Sequence, residues 1–554
     1  MILSYMRNKL SRFFFKSQPP KYIRQLADLN SQLVNFEKKC SKSKSRKILY
    51  GPSFSIYPPC FIHDRLLSSA LRLKGAEIIP IYCDGVFCQE CSYYGGVWLN
   101  GETFATRCEG CRKSSEDLWR IDGVQPLQFS KYINAADLSL VDAQIKAINS
   151  DDWPTYFYNG MPFGKWAKEK ILNHYLVGNL SHVPDSDKLG LLHIRNIFIL
   201  EIVYTRILET VAPDIVVSHD SFYYMPAVLQ YLCESKNIPF YSHWSGTSKG
   251  AWCYAFNDSA MNLNFTKSWE HFSSKPLDGR KKTKVEDWLK GRVSGEDMIL
   301  DTASMQDYKS EIPDLDTLNP EKPTALLTSN VVWDLAALSK QIVFSDMMEW
   351  IAETIEWFGR HPEYQLIVKP HPGEQHPKIP ETTERVGSAL ALMGVDIPEN
   401  VKLLKPTAKI TLYDLIPRID LGLVYTTTSA IEIAAKGVPV ITTAKSPYRG
   451  FGFTIDPDDK KQYFESIINV FNRVEDIDFE KQKDLSYKFI LFYFYHYFTK
   501  INLIEFKWGD VPVVNVSSIE DILPGKNKYL DYITGCIMNG DPVLTEDNYP
   551  PESH

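Results

Sequence analysis

The 554-residue chain has no run of about 18 uninterrupted apolar residues, so a membrane-spanning helix is not expected. Its N-terminus also lacks an apolar core followed by a small-residue cleavage site, and the expected location is therefore the cytoplasm. Positive charge is in deficit: 61 Lys and Arg face 68 Asp and Glu, a net charge of -7 that argues against a nucleic-acid partner. Ten cysteines are too few to staple a chain of this size with disulfides.

What is present is the composition of a folded protein, 44% hydrophobic and 23% charged. At roughly 100–200 residues per domain the length implies two to four domains, and two large ones fit best. The expected class is α/β, with two doubly wound Rossmann-like domains facing a cleft. The divisions are a basic segment 1–40, a first domain 41–295 with a cysteine-rich insertion 84–115, a linker 296–323, a second domain 324–475 and a helical crossover segment 476–554. The first 24 residues hold Arg7, Lys9, Arg12, Lys16, Lys21 and Arg24, no acidic residue, and bulky apolar neighbours. Two readings stand: peripheral contact with the inner membrane at its cytoplasmic face, or a helix packed on the second domain.

Lys47–Ser53 and Ala76–Cys83 read as strands around an amphipathic helix near Asp64–Leu73, a β-α-β start. The loop beyond carries Cys88-Gln-Glu-Cys91 and Cys108-Glu-Gly-Cys111, two knuckles separated by an aromatic, Gly-rich, hairpin-like stretch. Four thiolates at this spacing predict a structural zinc that closes its own tetrahedron and leaves no open position for chemistry. An iron–sulfur cluster or redox pairs are the alternatives, and strand burial is the expected fate of Cys83. Asp214–His219, a helix from Met225, and Ile238–Ser242 continue the series. Their ends carry His219, Asp220 and His243, candidates for acid, base or nucleophile at the crevice, or ordinary turn residues.

The second half repeats the pattern. Thr324–Thr328, Gln365–Val368, Val401–Leu404, Leu421–Tyr425 and Val438–Thr442 alternate with helical stretches. Leu366 to Glu374 is an apolar run that stops at Pro370 and Pro372, neither of which can donate to a ladder. Lys369 and His371 at that strand end face the crevice where doubly wound sheets bind ligands, and the expected guest is an anion. Thr426-Thr427-Thr428-Ser429 opens a helix, an arrangement that offers unpaired N–H groups to a phosphate, while Glu432 one turn in is placed to accept from sugar hydroxyls. Tyr487–Phe506, dense in aromatics, reads as a packed helix.

Asn330-Val-Val-Trp-Asp334, Glu349-Trp350, Lys369-Pro-His-Pro372, Tyr425 to Glu432 with Gly437-Val-Pro-Val440, and Tyr448 to Thr454 stand in that order. The series resembles the capsule-polysaccharide synthesis glycosyltransferase family, of GT-B architecture, which includes enzymes that use CMP-3-deoxy-manno-octulosonic acid (CMP-Kdo). The resemblance implies a nucleotide-sugar donor whose phosphate is held by His371, Thr427, Thr428 and Ser429, with Asn330 and Lys369 in the same donor set. It implies a surface polysaccharide or its lipid-linked precursor as acceptor, and no catalytic divalent metal is expected. A UDP- or GDP-sugar transferase, a sugar epimerase of the same fold and a noncatalytic carbohydrate-binding or assembly protein are the alternatives.

Overall fold

The computed structural model describes residues 21–39, 46–53, 57–121, 123–220, 222–295, 297–300, 312–335, 337–473 and 478–552. The basic stretch before Lys21, with its membrane reading, lies outside them. Helix α1 (Lys21–Lys39) buries Leu26, Leu29 and Leu33, a stripe at helical spacing, in the core of the first domain.

That core surrounds a sheet of seven strands in the order β12-β6-β5-β4-β1-β2-β3. They are β1 (Arg46–Tyr50), β2 (Ala76–Tyr82), β3 (Leu127–Gln128), β4 (Ile215–His219), β5 (Phe240–Ser245), β6 (Ala251–Phe256) and β12 (Thr499–Lys500). Pairing is parallel from β3 to β5, and β6 and β12 close one edge antiparallel. Helix α2 (Pro58–Leu73) starts with prolines, whose missing N–H groups cost nothing in a first turn. It is followed by Gly75 at φ 95°, where a side chain would be strained. Helices α3 (Phe104–Ile121), α4 (Phe163–Tyr175), α5 (Ser186–Val211) and α6 (Tyr224–Ser235) complete this half, and α7 (Gly279–Ser294) leads toward the second.

The second sheet is wholly parallel, in the order β11-β10-β7-β8-β9: β7 (Thr324–Thr328), β8 (Gln365–Lys369), β9 (Val401–Leu403), β10 (Leu421–Val424) and β11 (Val440–Thr442). Its strands have apolar centres because helices cover both faces, among them α8 (Met347–Arg360), α9 (Ser429–Ala435) and α10 (Phe479–Leu491). In both sheets the strand order reverses beside the first strand, between β1 and β4 and between β7 and β10. The chain is thus an α/β protein of two doubly wound sheets.

Two expected elements differ. The stretch between the CxxC pairs is a short helical turn, Gly96–Leu99, followed by α3, whose start is capped by the Thr103 hydroxyl accepting from the Thr106 N–H at 3.2 Å. Tyr487–Phe506 is not one helix: α10 ends at Leu491, a π-turn carries Phe492–Tyr497, and the chain then crosses back as β12. Helix α11 (Lys528–Asn539) packs on α2, and Tyr241 donates its hydroxyl to the carbonyls of Cys536 and Asp541 at 2.9 and 2.8 Å. Among the described residues no helix is long and apolar enough to cross a membrane.

Candidate functional site

The loops that follow β5, β7, β8 and β10 line a cavity of about 550 Å³ between the two halves. The first domain contributes Tyr57 and Trp244 to Thr247, and the second contributes Thr328, Ser329, Asp334, Lys369 to Pro372, Thr427 to Ser429 and Glu432. This is the crevice at the strand-order reversal of the second sheet, where the geometry of parallel sheets leaves loop ends splayed.

His371 is held from two sides. Its backbone N–H donates to Ser329 Oγ at 3.1 Å, and its Nδ1 accepts the Gly373 N–H at 2.9 Å. An accepting Nδ1 carries no proton, so the neutral ring has its hydrogen on Nε2 as a donor for a guest. Burial, with help from Lys369 and His376, pushes its pKa down to about 4, so the ring is neutral at physiological pH. Burial likewise lowers Lys369 to about 8 against the opposing pull of Asp414, and its Nζ donates to the Ile410 carbonyl at 3.1 Å. A desolvated ammonium of this kind gains from an arriving anion.

Across the cavity the hydroxyls form a cluster: Ser429 Oγ lies 2.7 Å from Thr328 Oγ1 and 3.3 Å from Thr427 Oγ1. The Thr427 carbonyl accepts from Tyr448 at 2.8 Å, which fixes the turn. Thr428 holds the cap position of α9 without a side-chain cap bond. Asn330 does not line the cavity; it is buried and accepts the Thr426 N–H at 3.2 Å, tying the loop after β7 to the loop after β10. Glu432 lines the cavity with its carboxylate already engaged, by Arg292 Nε and Nη2 at 3.0 and 2.7 Å and by the Tyr413 hydroxyl at 2.6 Å. The expected acceptor of sugar hydroxyls is a structural clamp between α7 and α9.

Sequence reasoning overlooked Arg292, one of many cations on α7 with nothing local to distinguish it, and Tyr413. It quoted Asp334 in a motif but gave it no role.

The three candidate catalytic residues of the first domain lie elsewhere. His219 and His243 are 1% and 0% exposed and turn toward Asp64 of α2, with His243 Nε2 2.9 Å from Oδ1 and His219 Nδ1 3.6 Å from Oδ2. Asp220 is 1% exposed and accepts the Ser259 hydroxyl. None of the three lines the cavity; on β5 it is reached only from Trp244 onward.

Among the described residues, two groups of possible metal ligands have their donor atoms within 4.8 Å of one another: His63, Asp64 and His243, and Glu90, His174 and His193. In the second, both histidines approach one oxygen of Glu90 at 3.2 Å, while the Tyr175 hydroxyl and the Gly96 N–H donate to the other. Glu90 sits inside the first CxxC, so these bonds pin that loop to α4 and α5. The four thiols expected to hold zinc are not within that distance in threes; Cys91, Cys108 and Cys111 are partly buried, and Cys88 is exposed.

Glu374, three residues past His371, is fully buried, and its Oε2 has no hydrogen-bond partner. Burial raises its pKa from 4.5 to about 7. The folded chain therefore binds this proton more tightly than the unfolded chain. The stability it confers is complete below about pH 4.5 and is lost as pH rises through 7, by about 3 kcal/mol. Glu374→Gln is expected to match wild type at pH 4.5 and exceed it by about 3 kcal/mol at pH 8 in urea unfolding. Equal differences at the two pH values would refute this.

No family model matches the chain. No curated protein matches it. Solved structures resemble it at low identity. A KpsC β-Kdo 2,4-transferase from Thermosulfurimonas dismutans is 11% identical, covering 52% of this chain and 80% of its own, with a TM-score of 0.29. A UDP-GlcNAc 2-epimerase from Neisseria meningitidis, bound to UDP-GlcNAc, is 11% identical, covering 79% and 93%, with a TM-score of 0.25. A Streptomyces glycosyltransferase complexed with thymidine diphosphate is 11% identical, covering 80% and 95%, with a TM-score of 0.23. Likeness of this degree carries no argument about chemistry, which rests on the residues of the cavity.

Proposed function

We propose that the protein is a glycosyltransferase that takes a sugar from a nucleotide donor bound in this cavity. One observation carries the reading: a desolvated lysine, a neutral imidazole with its donor on Nε2 and a cluster of three hydroxyls converge at a strand-order reversal. Such a set suits a phosphate. As the bond to the sugar breaks, negative charge grows on the departing nucleotide phosphate, and preorganised donors in a dry site stabilise that charge without a divalent metal. The sequence motifs favour CMP-Kdo or a related 3-deoxy-ulosonic acid as donor. The corresponding acceptor is a capsular or other surface polysaccharide, or its lipid-linked precursor, at the cytoplasmic face of the membrane.

His371→Ala is expected to weaken CMP binding by about 1.5–3 kcal/mol, roughly 10- to 150-fold, since it removes a bond to a charged group. Ser429→Ala should lose less, because Thr328 and Thr427 remain in the cluster. Titration calorimetry with CMP and UDP on folded variants measures both. Wild-type affinity in His371→Ala would remove the donor-site reading. Turnover of a nucleotide sugar to an isomer without acceptor would replace transfer by epimerisation.

A further inference from the structure

We propose that Cys83, Cys91, Cys108 and Cys111 form a structural zinc site, with Cys83 and not Cys88 as the fourth ligand. These four thiols line one hollow beneath the loop that follows β2, with no three of their sulfurs within 4.8 Å of one another, and Cys88 is exposed and does not line it.

Backbone amides hold the sulfur at two of them. Cys91 Sγ accepts the N–H groups two and three residues later, from Tyr93 at 3.4 Å and Tyr94 at 3.3 Å. Cys83 receives the same pair, from Gly85 and Val86. The repeated pattern of two amide donors holds both sulfurs in fixed positions on the loop backbone. Cys108 and Cys111 stand one turn apart on α3 and so share a face. The exposed Cys88 has neither feature.

Four thiolates around one hollow suit a tetrahedral ion. Zinc bonds of about 2.3 Å would draw the sulfurs together and shut the hollow. Binding replaces four thiol protons, which leave to solvent, with no change of oxidation state. With four protein ligands the ion has no open position, so its effect is to hold shape. Together with Glu90 it fixes the turn Gly96–Leu99, from which Trp98 packs edge-on against Trp333 of the second domain at 6.0 Å. This inference is independent of the donor-site reading.

The test uses the full chain purified without chelator, with metals measured by mass spectrometry. Wild type and Cys88→Ser should each carry about one zinc per chain, and Cys83→Ser should lose roughly nine-tenths of it. Because Cys83→Ser can also misfold, a second measurement uses wild type alone. Alkylation of the native protein followed by peptide mapping should label Cys88 at once and spare the other four until a mercurial releases zinc. Absence of metal, stoichiometric iron, or zinc kept in Cys83→Ser and lost in Cys88→Ser would each overturn the proposal.

Discussion

Replacing Asp334 by Asn is expected to cut turnover by roughly 10²- to 10⁴-fold while nucleotide affinity stays near wild type. A carboxylate near the sugar can act as base toward the acceptor hydroxyl or as partner to the anomeric carbon. Among the described residues two carboxylates line the cavity, Asp334 and Glu432. Glu432 already accepts from Arg292 and Tyr413. Asp334, at the end of the loop after β7, is half-buried on the wall that also holds His371. Release of CMP from CMP-Kdo, followed with the acceptor present, reads the effect, and calorimetry with CMP reads affinity. Asp220→Asn, if folded, serves as the companion, since Asp220 is buried under Ser259. Wild-type turnover in Asp334→Asn, or a collapse confined to Asp220→Asn, would move the chemistry back to the first domain.

Asp64→Ala is expected to destabilise the first domain by about 2–4 kcal/mol, the cost of leaving the buried donors around the carboxylate without their acceptor. Asp64 is 0% exposed and draws on β1, α2, β4 and β5 together. Ser53 donates at 2.5 Å, Tyr50 at 3.3 Å and His243 lies at 2.9 Å, with the Arg65 guanidinium beside them. Burial alone would raise its pKa, but His219, His243 and Arg65 outweigh burial and hold the carboxyl well below the usual range. A depressed folded pKa means that the contribution is complete above the unfolded value of 3.8 and is lost only as pH falls toward the folded one. Urea unfolding at pH 7 is the measurement, and a change under about 1 kcal/mol would show that the cluster does not organise this core.

How much of this was legible follows from how local each signal is. Thr324–Thr328, and the run that halts at Pro370, announce strands because burial on both faces writes apolar residues side by side. Lys369, His371 and Thr427–Ser429 were readable for the same reason, each lying within a few residues of the strand end that positions it. Glu432 was misjudged because its partner Arg292 comes from a helix 140 residues earlier, which no local pattern reports. His243 was misplaced by the length of one strand: β5 was expected to stop at Ser242 and runs to Ser245, which turns the imidazole inward toward Asp64. The cysteines were counted by their CxxC spacing, and spacing does not say that Cys88 faces solvent.

The return of the chain to the first sheet bears on how the protein is made. The second sheet is built from one contiguous stretch, β7 to β11, and can close as soon as that stretch has left the ribosome. The first cannot: its edge strand β12 and the helix α11 that covers α2 are synthesised only after the whole of the second sheet. Until they arrive, apolar faces of α2 and β6 stay open in a nascent chain, the condition that invites chaperone capture. Maturation therefore runs against the direction of synthesis, with the first sheet completed after the second.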